Sequence, residues 1–351
     1  MWTTAYFAML DFVRPNILRM RGYEPGEQPQ EGSVIKLNTN ENPYPPSPRV
    51  LEALRQAIHG DRLRKYPDPQ GRQFRETAAR IFDVPPEAIL IANGSDDALT
   101  IITRALVPEN GEVCFPSPSY PLYETLAAIQ GAACHILRFT AEGDLPAETV
   151  PRRVHLTYIP NPNSPTGTVV PRGRLQGWPT PLVIDEAYAD FAEENYLHLP
   201  LKNERVIVTR SLSKSYSLAG IRFGFAVACP ELTRQLYKVK DSYNCDALSL
   251  IAATAAIEDQ EHMRQNVARL RATRQRVSVH LRQLGFLVPE SHANFVWCVH
   301  RAHPARWLYE QLKARGILVR YLRYPETEGL RITIGTDAEM DRLLDELRRI
   351  V

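Results

Sequence analysis

Residues 205–228 read RVIVTRSLSKSYSLAGIRFGFAVA. RVIVT is a short β-branched run of the kind that forms a strand. It opens into Ser211, Leu212, Ser213, Lys214 and Ser215, and a second apolar run, 221–228, follows with Arg222 at its head. The chain has seven lysines, and the other six lie in stretches that read as surface. Lysine is almost never fully buried unless it is paired or titrated down. An amine among hydroxyls, between two buried strands, suits a Schiff base to an aldehyde whose phosphate is held by Ser211, Ser213 and Arg222. The same residues also suit a surface loop with a solvated lysine, and this segment alone does not decide between the two.

Working upstream, the candidate strands end on polar residues. PLVIDEAYADF (181–191) places Asp185 at a strand end, with Glu186 and Tyr188 beyond it. Acidic residues at strand ends are usually turn formers, but Asp185 follows three apolar residues, so partial burial and a charge partner are expected. VHLTYI (154–159) runs into PNPNSPTG, which puts Asn161 at a strand tip. EVCF (112–115) precedes PSPSYPLY, with Tyr120 where open sheets bind ligands. ILIA (89–92) is followed by Asn93, Gly94, Ser95 and Asp96, with Ser95 or Asp96 capping a helix that runs to Leu106. Strand, glycine turn and helix N-terminus make an anion cradle, although such turns are common in α/β proteins. The turn is neither a G-x-G-x-x-G nor a P-loop, so a dinucleotide or ATP reading has no support. ACHIL (133–137) is a further strand. Repeated strand–turn–helix units predict an α/β fold, a mostly parallel sheet covered by helices.

Toward the N-terminus, SVIKL (33–37) reads as a strand, and NTNENPYPPSP (38–48) as a fixed loop beside a site. Helices are expected over 49–58 and 73–82, with Tyr66 in the proline turn between them. Pro15 fits the first turn of a short helix. Downstream, 231–285 carries helical periodicity, read as one helix crossing back and a long one entering a second domain. NFVWCV (294–299), GILV (316–319) and LRITIG (330–335) are strands, and 338–350 is a helix. The expected organisation is an N-terminal arm and small-domain segment (1–32), a large domain (33–261) and a small α+β domain (262–351) whose sheet also has room for an N-terminal segment.

The chain has 351 residues, a net charge of +2, 44% hydrophobic and 23% charged residues, enough for two packed domains with no electrostatic case for nucleic acid. The five cysteines are scattered and make neither a disulfide framework nor a metal pair. His292, His300 and His303 have no zinc-ligand spacing, so no metal is expected. No run is long enough to span a bilayer. MWTTAYFAML at the start lacks a basic region and a cleavage site, so it reads as an arm that packs on a neighbour or an extended start, in a cytoplasmic protein.

One aldehyde cofactor accounts for the scattered features together. Pyridoxal phosphate needs an amine, a carboxylate on the pyridinium nitrogen, donors to the phenolic oxygen and a phosphate cup. Lys214, Asp185, the pair Asn161 and Tyr188, and the group Gly94, Ser95, Asp96, Ser211, Ser213 and Arg222 supply these in turn, with Tyr120 placed to stack on the ring.

With these pieces assembled, the sequence resembles the fold-type I pyridoxal-phosphate enzymes and, within them, the histidinol-phosphate aminotransferases. The resemblance rests on VRPNI with GYEPG, LNTNENPYPP, YPDP, NGSDDAL, PSPSYPLY, PNPNSPTG, VIDEAYADF, SLSKSYSLAGIRFG and GILVR with LRITIG, from about residue 13 onward. Threonine-phosphate decarboxylases and aromatic aminotransferases share most of these motifs. Asn93 and Ser95 depart mildly from the family's usual GADE-like residues. The resemblance implies a seven-stranded large-domain sheet and a homodimer with composite sites in which Tyr66 reaches the cofactor phosphate of the other subunit. It also implies that Arg331 binds the substrate's acidic group, that Arg320 and Tyr23 contact a distal phosphate, and that Asn42 of the NENP loop contacts substrate. The activity implied is amino transfer between L-histidinol phosphate and 2-oxoglutarate in histidine biosynthesis. Some transcription regulators carry this fold behind a DNA-binding head; with the sheet domain beginning almost at the start and a net charge of +2, an enzyme and not a regulator is expected.

Overall fold

The structure is a computed structural model that describes residues 11–29, 34–140, 144–145, 149–151, 153–171 and 173–351. The apolar start, residues 1–10, read above as an arm, lies outside the described residues. After a short β1 (Ile35–Leu37), seven strands build the larger sheet: β2 (Ile89–Ala92), β3 (Glu112–Ser117), β4 (Ala133–Arg138), β5 (Leu156–Pro160), β6 (Leu182–Asp185), β7 (Val206–Ser211) and β8 (Gly224–Val227). Their order is β2-β8-β7-β6-β5-β3-β4, and β8 alone runs against the rest.

Apart from the largely exposed edge strand β4, this sheet is covered on both faces, and alternation along its strands divides the side chains between two cores. Leu90, Val113, Tyr158, Val183, Ile207 and Ala226 pack on one face with the helices Ser95–Leu106 and Leu122–Gln130. Ile89, Ile91, Cys114, Ile159, Ile184, Val208 and Phe225 pack on the other, in a core continuous with that of the second sheet. Burial on both faces is why these strands read as unbroken apolar runs. It also brings the carboxyl ends of six strands to one edge, where parallel sheets place their ligands.

The second sheet holds β9 (Phe286–Leu287), β10 (Phe295–His300), β11 (Ile317–Arg323) and β12 (Glu328–Thr333), in the order β1-β11-β12-β10-β9. The strand expected to open the large domain therefore belongs to this sheet instead. β1 pairs in parallel with β11, Ile35 opposite Ile317, and the Ile35 N–H donates to the Gly316 carbonyl. Two-residue β9 was too short to be seen in the sequence.

The long helical stretch is three helices, Pro230–Val239, Ala247–Glu258 and Gln260–Gln283. Two aspartates punctuate it: Asp246 accepts from the N–H groups of Leu248 and Ser249, and Asp259 from that of His262. No helix among the described residues is long and apolar enough to cross a membrane.

Candidate active site

A cleft of about 880 Å³ opens at the carboxyl edge of the large sheet and is closed on its other side by β11 and β12. Lys214 lies in it, on the loop between β7 and β8, with its ammonium donating to the Thr39 carbonyl at 3.2 Å. Burial, followed by the nearby Arg331 charge, pushes the lysine down to about 8. The surface-loop reading therefore falls.

Asp185 ends β6 at the cleft floor and is 5% exposed. The Tyr123 hydroxyl donates to one carboxylate oxygen at 2.8 Å, and the Thr209 hydroxyl to the other at 3.1 Å. Burial raises its pKa to about 6 against these bonds. No cation pairs with it among the described residues, although a buried carboxylate calls for one. Tyr188 accepts a 2.8 Å bond from the Asn40 amide, and burial raises its phenol. Asn161 is buried at the tip of β5, and its side-chain oxygen accepts from the Val170 N–H, which turns its NH2 into the donor end.

The anion cradle forms at the start of the helix Ser95–Leu106. The cap is Gly94, with φ +84°, and not Ser95 or Asp96, because the chain must turn there through a conformation that glycine tolerates. The Asp97 carboxylate closes the turn by accepting from the Asn93 N–H. Arg222 is held in the left-handed region at φ +55°, with its guanidinium against Gly94, 3.4 Å from the Ser213 hydroxyl and 3.7 Å from Asp96. Gly224 is required by close approach: a Cβ there would lie 2.7 Å from both the Arg210 carbonyl and the Ser95 nitrogen. Ser95, Ser211, Ser213 and Arg222 all line the cleft. Tyr120 lies beside this cradle, donating to Asp96 at 3.1 Å and meeting Tyr23 edge to face at 5.9 Å between centroids.

From the small sheet, Arg331 donates to the Ser164 hydroxyl and the Asn38 carbonyl, while its buried Nε has no partner. Arg320 donates to the carbonyls of Glu24 and Pro25, which fastens the segment carrying Tyr23 across the cleft mouth.

Two expected residues are not brought into this cleft. Asn42 was expected to contact substrate. Instead it donates to the carbonyls of Lys214 and Ser215 and accepts from the Tyr44 N–H, so it holds the lysine loop from behind. Tyr66 lies outside the cleft of its own chain, 81% exposed and stacked on Tyr243 at 4.4 Å. Tyr123, Thr209 and Ser164 were missed. The signal for Tyr123 was its place three residues after Tyr120, in the first turn of the helix Leu122–Gln130. Among the described residues, no cluster of His, Cys, Asp or Glu could hold a metal ion.

The residues fit the expected cofactor. An uncompensated buried carboxylate suits a pyridinium nitrogen, the low-pKa lysine suits an aldehyde, and a cradle that a single Cβ would fill suits a phosphate.

Comparison with known proteins agrees. The family described as "Aminotransferase class I and II" matches residues 32–347. A histidinol-phosphate aminotransferase of Rhodopirellula baltica is 48% identical over 344 residues, covering 96% of this chain and 95% of that one. Histidinol-phosphate aminotransferase 1 of a Nostoc strain is 45% identical over 350 residues, covering 98% and 99%. Among solved structures, a histidinol-phosphate aminotransferase from Sinorhizobium meliloti in complex with pyridoxal-5'-phosphate superposes with a TM-score of 0.88 at 27% identity, covering 97% of this chain and 98% of that one.

Proposed function

The chain belongs to the class I and II aminotransferases, and from that membership we propose that it moves an amino group between L-histidinol phosphate and 2-oxoglutarate, giving imidazole acetol phosphate and L-glutamate. The observation that carries this reading is the arginine pair. Arg320 and Arg331 line the cleft with no carboxylate partner among the described residues, and both substrates bring an anion. A guanidinium fork binds carboxylate and phosphate alike, so Arg331 serves both half-reactions. Arg320 adds charge for the dianionic phosphate, and Tyr23 adds a hydroxyl.

Pyridoxal phosphate, when bound, supplies a ring that withdraws the electrons released as the substrate's Cα loses its proton. Asp185 would hold a proton on the ring nitrogen, and an ion pair there would compensate its burial. Ser95, Ser211, Ser213 and Arg222 would hold the phosphate, while Asn161 and Tyr188 would donate to the phenolic oxygen. Lys214 takes the proton from Cα and returns it as general base and then acid, a task suited to an amine near 8.

We place the enzyme in the cytoplasm, in keeping with five unpaired cysteines. We read it as a homodimer in which Tyr66, exposed on its own chain, completes the partner's phosphate cup. The test of the reaction is a single-turnover half-reaction with each amine, following the cofactor's visible band. Histidinol phosphate should convert it with the highest kcat/KM, and a higher value for phenylalanine overturns the assignment.

A further inference from the structure

The face of the large sheet turned away from Asp185 carries a second buried polar chain. Side chains alternate along a strand. In the β6–β7 pair Asp185 lies opposite Thr209, and the two bond on the cleft side. Their successors, Glu186 and Arg210, therefore meet on the other side. Arg210 Nε donates to Glu186 Oε2 at 2.8 Å, and both residues are buried. Arg210 Nη1 reaches on to Asp190 Oδ1 at 2.9 Å. The second oxygen of Asp190 accepts from the Ser215 hydroxyl at 2.5 Å, and Ser215 follows Lys214 in the chain. One cation and two carboxylates thus run beneath the sheet from the residue after Asp185 to the residue after Lys214.

We propose that Glu186, Arg210, Asp190 and Ser215 form a positioning strut, which fixes the lysine loop at a set distance from the Asp185 carboxylate and so holds the Lys214 amine where it transfers the proton. The inference rests on the transaminase role of Lys214 and adds four residues that touch neither substrate nor cofactor.

The setting calls for such a part. Lys214 lies on a loop, and a lysine side chain has wide rotamer freedom that the loop's backbone does little to restrict. Proton transfer demands placement to within an ångström or so. The loop's other ties include backbone bonds, from Leu218 N–H to the Leu212 carbonyl and from Leu212 N–H to the Phe223 carbonyl, and side-chain bonds from the Asn42 amide to the Lys214 carbonyl and from Gln260 to the Tyr216 hydroxyl. None of these reaches the segment that follows Asp185. The Ser215–Asp190 bond ties it to the turn that follows Asp185, in a partly buried place where a hydrogen bond is stronger than in water.

The test compares Ser215→Ala, Ser215→Thr and Asp190→Asn with the wild-type chain. The first readout is the pH dependence of Lys214 acylation in cofactor-free protein, followed by peptide mass spectrometry. The groups facing the amine are Arg331, Arg222, Asp96, Glu41 and the Tyr188 ring, and Ser215→Ala changes none of them. A loosened loop lets water reach the amine, so the labelling midpoint should rise from about 8 toward the ordinary lysine value. The second readout is the holoenzyme: kcat should fall on the order of ten- to a hundredfold with KM little changed and cofactor retained. Ser215→Thr, which keeps the hydroxyl, should restore both. Asp190→Asn should lose a similar factor in kcat, and the double variant little more than either single one, because the two residues act as one unit.

An unmoved labelling midpoint with kcat within twofold of wild type in Ser215→Ala overturns the strut, as do losses that add in the double variant. Should Asp190→Asn fail to fold, the serine pair decides. A wild-type chain that binds no cofactor at Lys214 would instead sink the transaminase reading.

Discussion

Arg320 and Arg331 stand directly opposite each other across the β11–β12 pair, two like charges in register. Such pairs destabilise a sheet. Here each guanidinium is tied to neutral oxygens, and no carboxylate neutralises either among the described residues. The arrangement leaves a concentrated positive field facing the cleft, and an anionic substrate would relieve it.

Arg331→Ala should therefore impair both half-reactions. Loss of a charge-assisted bond costs about 1.5–3 kcal/mol, or roughly ten- to a hundredfold in kcat/KM, for histidinol phosphate and for glutamate alike. Arg320→Ala should impair the phosphate substrate more. Stopped-flow half-reactions with both amines separate the two, and equal losses in Arg320→Ala would mark that residue as a fastener of the 24–25 segment only.

Asp185 should make the cofactor-free protein less stable at neutral pH. Its folded pKa of about 6 lies above the value for an unfolded chain. The stability it contributes is thus fully present below about pH 4 and is lost as pH rises through about 6, amounting to about 3 kcal/mol. Cofactor-free Asp185→Asn should melt several degrees above wild type at pH 7.5 and level with it near pH 4, while being almost inactive when loaded. Calorimetry across that range checks the sign.

Gly224→Ala should weaken cofactor binding. The added methyl would press on the Arg210 carbonyl and the Ser95 nitrogen, both backbone atoms of the cradle. Such overpacking costs about 1–3 kcal/mol. Equilibrium dialysis with pyridoxal phosphate should register it as a raised Kd, and an unchanged Kd would mean that the phosphate lies elsewhere.

Lys214→Ala should retain cofactor and lose turnover by several orders of magnitude. Mixed with Tyr66→Phe chains, it should form heterodimers with one intact and one doubly damaged site. Recovered activity on mixing measures this, and an active monomer in sedimentation would rule out the shared site.

Much of this was legible because the chemistry sits where strands end. Lys214, Asp185 and Tyr120 follow apolar runs, and a polar residue at such a boundary is visible in one dimension. The bonds of Asn42 to the lysine loop were not legible, because an amide in a rigid loop has the same spelling whether it faces a ligand or a backbone carbonyl. Arg210 was passed over because it extends a β-branched strand by one residue, and only strand pairing reveals Glu186 beside it. Gly94 was overlooked as the cap since Ser95 and Asp96 are the usual capping types, while the decisive quantity was a backbone angle.

The pairing of β1 with β11 also orders events during synthesis. Ile35 leaves the ribosome roughly 280 residues before Ile317, which at about 5–20 residues per second is roughly a quarter of a minute to a minute. Throughout that interval the N-terminal strand has no edge to join, and the whole larger sheet folds within the open loop. The small sheet needs β11 to close, so a chain interrupted between β8 and β11 carries an orphaned strand beside a Lys214 loop whose cleft lacks its second wall. Quality control of this protein would thus be read at its beginning, by whether residues 35–37 have found their partner.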